Sequence, residues 1–87
     1  MAYLGGSAFA MARDVGEGYI LMNVNVLKRM APEELRQLRF ELERIITTLR
    51  GEQPSADNML AIQGRNRRLS RLTSAVSMIN NHLQMSR

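Results

Sequence analysis

Arg65, Arg67, Arg68 and Arg71, crowded into the run "GRNRRLSR", are the densest group of side chains in this chain that could do chemistry. Guanidinium forks match phosphate oxygens, so one reading is a contact surface for nucleic acid. On a helix these four cover roughly half the circumference rather than one stripe. Arg65 even falls on an apolar seam. The competing reading is structural: Glu41, Glu43 and Glu52 stand at the right end of an antiparallel neighbouring helix to pair with them. No aromatic residue interleaves the arginines, which leaves stacking on single-stranded bases unsupported. The wider charge pattern favours an anionic contact, since residues 58–87 hold five arginines and no acid in a chain of net charge +4.

Other chemistry is sparse. His82 is the sole histidine and has no carboxylate near it in sequence, and a general base or metal ligand needs such helpers. "GEG" at residues 16–18 lacks the glycine spacing and the lysine of a phosphate loop. There is no cysteine, hence no disulfide and no thiolate metal site. No catalytic, cofactor-binding or metal-binding residue is assigned, and no enzyme or small-molecule substrate is expected. The seven methionines are adaptable apolar side chains that fill gaps between helices.

Two apolar stripes must position whatever function exists. Leu35, Leu38, Leu42, Ile45 and Leu49 alternate steps of three and four, as do Leu69, Leu72, Val76, Ile79 and Leu83, with Ile62 seven residues before Leu69. That is the seam of two helices packed lengthwise. The first helix is expected over residues 32–50, opened by Pro32, Glu33 and Glu34, which suit the positive end of the helix dipole. Gly51 and Pro54 stop it. The second is expected over residues 56–84, capped by Ser55 and interrupted by nothing but Gly64. These lengths correspond to about 27 and 43 Å, so the second helix overhangs the first and leaves Val76, Ile79 and Leu83 to be covered.

Residues 19–27, "YILMNVNVL", alternate and are β-branched, which predicts a strand. Residues 1–18 are expected as an N-terminal arm in front of a domain spanning 19–87. Within the arm, "SAFAMARD" reads either as a short helix capped by Ser7 or as one side of a hairpin. The fold class is therefore mainly α: an antiparallel two-helix hairpin with an N-terminal β element. A lone hairpin of 87 residues without disulfides is marginal, so two copies are expected to form a four-helix bundle.

The functional expectation is a non-enzymatic protein–protein interaction module, an adaptor, assembly factor or structural subunit. It has either a homo-oligomeric or an obligate protein partner. Its contacts are assigned to the strand residues Tyr19, Val24 and Val26, to Phe40 on the charged side of the first helix, and to the overhanging Ile79 and Leu83. Phe40 is otherwise covered by the stems of Arg36 and Arg44. No apolar run reaches the roughly 20 residues needed to span a bilayer, and the first residues read poorly as a signal peptide. A cytoplasmic location without membrane attachment is expected.

The order strand, "PEEL", then two helices resembles the ribbon-helix-helix repressors. The resemblance implies a dimer whose paired strands read the DNA major groove, with Asn23 and Asn25 in the reading positions. It extends over about residues 20–70. Both helices are longer than that family's, and Lys28 and Arg29 follow the strand instead of alternating within it. The helical hairpin with an arginine-rich second helix is also similar to the small two-helix protein of the large ribosomal subunit. Nucleic-acid binding is the alternative function, through the basic cluster Arg65, Arg67, Arg68 and Arg71 and, in the ribbon version, through Asn23 and Asn25.

Overall fold

The computed structural model describes residues 6–52 and 54–85, and these form four helices: α1 (Ala8–Glu17), α2 (Val24–Lys28), α3 (Pro32–Gly51) and α4 (Met59–Met85). The two expected long helices are present. Leu35, Leu38 and Leu42 from the first stripe and Leu72 and Ile79 from the second are essentially inaccessible to water. Ile46 and Leu49 complete the α3 face, whereas Ile45 is half-buried.

The hairpin does not stand alone. Residues 7–17, expected in an arm, take the helical alternative: the Ser7 hydroxyl accepts a hydrogen bond from the Ala10 amide at 3.1 Å and caps α1. Met11, Ala12 and Val15 then enter the same core as the α3 and α4 stripes, so the core extends across the boundary drawn at residue 18. Phe9 lies beside Ile45 and Leu49, while Gly16 lies against Leu72. The three long elements thus run up, down and up, with α1 antiparallel to α3 and parallel to α4. A Cβ on Gly16 would sit 3.2 Å from a Leu72 methyl, so the glycine lets α1 approach α4 closely.

The expected β element is corrected. Among the described residues there is no strand, and Val24–Lys28 is a short helix. Asn23 decides it. Its side-chain oxygen accepts the Val26 amide at 3.0 Å and its carbonyl accepts the Leu27 amide at 3.1 Å, which nucleates a turn of helix despite the β-branched valines. Upstream, the Tyr19 and Ile20 amides both donate to the Asp14 carbonyl, so the segment is folded back onto the end of α1 and offers no ladder to pair with. Gly18, at φ 89°, makes this reversal possible.

The second hairpin helix also starts later than expected. Asn58, not Ser55, caps α4: its side chain accepts from Ala61 and its carbonyl from Ile62. Ser55 instead donates to the Asp57 carboxylate. At the far end, Ile79, expected to be buried between two subunits, is fully buried within one chain. The cover comes from the crossover between α1 and α3, which contributes Met22, Leu27 and Met30 to the core, with Ile20 and Val26 packed against it. Ile79 thus needs no second subunit to bury it. Leu83 packs half-buried against the same core.

Candidate functional site

The arginine cluster is split by the fold. Arg65 donates from Nε to the Leu49 carbonyl at 2.8 Å, and Arg71 from an Nη to the Gly16 carbonyl at 3.0 Å. Both carbonyls lie in the last turn of a helix, α3 and α1 respectively, where the dipole favours a cation; the Leu49 carbonyl also accepts the Glu52 amide at 3.2 Å. The sequence reading expected these arginines to pair with Glu41, Glu43 or Glu52; among the described residues none does. Arg67 and Arg68 have no hydrogen bond or ion pair with a described residue. Arg67 is exposed and Arg68 half-buried. The four side chains therefore divide into two that hold helix ends and two that do not.

Asn23 is similarly committed. It caps α2, and its amide nitrogen faces the Leu21 carbonyl at 3.3 Å. Asn25 sits exposed on α2, a helix of five residues, so the two asparagines do not alternate along a strand in reading positions.

The assigned protein contacts fall into two places. Phe40 is exposed on α3, with the Arg44 guanidinium carbon 5.8 Å from its ring centre. Arg44 also pairs with the buried Glu41 at 3.1 Å, and beyond it Phe9 borders a second shallow depression with Ile45 and Thr48. Arg44 thus covers part of Phe40, while Arg36 is occupied by Glu33. This face is amphipathic but carries its own carboxylates, Glu41 and Glu43.

The other place is richer. Two cavities lie end to end along α4, between it and the chain from Gly18 to Lys28. The first, about 320 Å³, is lined by Ile20, Leu21 and Met22 on one side and Ser74, Ala75 and Met78 on the other. The second, about 380 Å³, is lined by Val24, Leu27 and Lys28 facing Met78, His82 and Met85. Met78 lines both, so the two are neighbours along α4 and together make a grooved strip with Met78 between them. Its rim is unusually apolar for a surface: Leu21 is 82% exposed, Met85 85% and, next to Leu21, Tyr19 81%. Of the residues assigned from sequence, Val24 lies in this groove; Val26 is half-buried, Phe40 is elsewhere and Ile79 lies in the core. Leu21, Met78 and Met85 were not singled out as contacts, since nothing in a linear pattern joins residue 21 to residue 85.

The polar complement of the groove is one-signed. Its ionisable side chains are Lys28, Arg71 and His82. From residue 18 to residue 32, and again from residue 58 onward, the sequence has no Asp or Glu. The nearest acids in sequence are on α1: Asp14, beside the lining residue Val15, and the exposed Glu17, beside Gly18.

No group of three or more potential metal ligands occurs among the described residues, and no helix among them is long and apolar enough to cross a membrane. The chain matches no protein-family model, and no curated protein or solved structure is significantly similar to it.

Proposed function

We propose that this protein is a non-enzymatic protein-interaction module that binds through the groove between α4 and the α1–α3 crossover. What carries the reading is that Leu21 and Met85 stand more than four-fifths exposed beside an apolar groove in a chain that already closes its own core. Exposed apolar surface that is contiguous and grooved marks a binding site, and aliphatic and methionine side chains adapt to the occupant. The exposed Phe40 on α3 is a subsidiary contact, weakened as a hot spot by the Arg44 guanidinium that already lies over its ring. Nucleic-acid binding through this fold rests on Arg67 and Arg68, since Arg65 and Arg71 are engaged with helix ends.

The test is site-specific photo-crosslinking in the source cell, with the reactive residue placed at position 21 or 24 and, as a control, at position 33 on the exposed start of α3. Discrete protein adducts from positions 21 and 24, absent at 33, are the expected result. No adducts, or the same set from all three positions, would refute the groove as a protein-binding surface.

A further inference from the structure

We infer that the groove receives one apolar face of an acidic amphipathic helix contributed by another protein. The inference deepens the interaction reading and rests on it. Three observations lead there. The first is spacing. The upper cavity is centred near Ser74 of α4 and the lower near His82, with Met78 between them. At 1.5 Å per residue the two centres are about 12 Å apart, just over two helical turns. An occupant helix lying along α4 places side chains i and i+7 in the two cavities and i+3 or i+4 over Met78, the anchor pattern of a helix seated in a groove.

The second is charge. The lining presents Lys28 and Arg71 and no carboxylate, and apart from Val15 of α1 it comes from residues 18–28 and 70–85, stretches free of acid. The acids lie on α1, on α3 and in the 52–58 connection, and none of them lines either cavity. A basic occupant would gain nothing in the groove. An acidic one is steered to it by the field of both cations and held in register by Lys28 at the lower end, Arg71 keeping its charge although its guanidinium is bonded to the Gly16 carbonyl. The third is burial: Val24 is half-exposed and Leu21 and Met85 largely so, which leaves apolar rim on both sides for the occupant's flanking residues to cover.

Two synthetic helices of about 16 residues test this, both with leucine at i, i+4 and i+7, one with glutamate and the other with lysine at the flanking positions. Binding to the full-length protein is read by fluorescence polarisation. The glutamate peptide should bind at least about tenfold tighter than the lysine peptide, and the gap should narrow at about 0.5 M salt. Leu21→Ser should abolish binding and Lys28→Glu should remove the preference. Both side chains are exposed, and circular dichroism verifies that the variants melt like the parent.

Equal binding of the two peptides, indifference to Leu21→Ser, or no binding of either overturns the inference. So does capture of the protein by phosphatidylglycerol vesicles in place of the peptide. A dimer that dissolves on Leu21→Ser and excludes the peptide also overturns it, because the occupant is then a second copy. In each case the crosslinks from position 21 report separately: if they persist to other proteins, the interaction reading stands and only the occupant's chemistry is wrong.

Discussion

From Met59 to Arg71, α4 is anchored by polar side chains reaching out to its neighbours, whereas from Leu72 to Met85 it is anchored by apolar side chains reaching in. In the first half, Met59 and Leu60 are exposed and Ile62 and Leu69 only partly buried; Arg65 and Arg71 bridge to the final turns of α3 and α1. In the second half, Leu72, Ala75 and Ile79 are buried, and Arg39 of α3 adds a hydrogen bond to Asn80 at 2.7 Å. The difference follows from where α1 and α2 lie. They cover the second half and leave its far edge as a groove, so the half that stabilises the fold also presents the binding surface.

The largest expected effect tests the apolar half. Leu72 is fully buried against Gly16, so Leu72→Ala removes packing at the point where α1 docks on α4. A loss of about 2–5 kcal/mol in unfolding free energy is expected. Met85→Ser, on the same half but 85% exposed, should stay within about 0.5 kcal/mol. Urea denaturation of the two variants measures this. A Leu72→Ala cost no greater than that of Met85→Ser would mean that α1 is not part of the core.

A smaller effect separates the arginines of the polar half. Arg65→Met and Arg71→Met each delete a charge-assisted hydrogen bond to a helix-end carbonyl, and a cost of about 1–2 kcal/mol apiece is expected, less for the more exposed Arg71. Arg67→Met deletes none and should fall within about 0.5 kcal/mol. If all three arginines proved equally dispensable for stability, the division of the cluster would fail, and the nucleic-acid reading would regain Arg65 and Arg71.

The same contrast marks what the sequence could disclose. The hairpin was legible because leucines at helical spacing bury where the pattern says: Leu35, Leu38, Leu42, Leu72 and Ile79 are all in the core. Arg65 was legible as an anomaly on that seam, but not its role, since its acceptor is a backbone carbonyl and carbonyls leave no trace in a side-chain pattern. The strand reading failed because alternation over residues 19–27 is a weak signal that one local bond can override; the Asn23 cap outweighs the valines' preference. The groove was the least legible feature. It exists only after α1 has turned back at Gly18 and brought Leu21 and Val24 beside Met78, more than fifty residues away in sequence.

The smallest effect lies just before the polar half begins, at Asp57. The Ser55 hydroxyl, followed by a backbone hydrogen bond, holds its carboxyl below the ordinary value of 3.8. A lowered folded-state value means that ionised Asp57 favours the folded chain. That contribution is complete well above pH 3.8 and disappears as the pH falls through the folded-state value. Because the group is fully exposed, water screens most of it, and the turn merely sets the approach to the Asn58 cap. Asp57→Asn should therefore lower Tm slightly at neutral pH, and the difference from the parent should close as the pH is brought below 3.8. A difference that widened in acid would have the wrong sign for a carboxylate stabilised by Ser55. A Ser55→Ala variant that abolished the pH dependence of the difference would locate its origin in that hydroxyl.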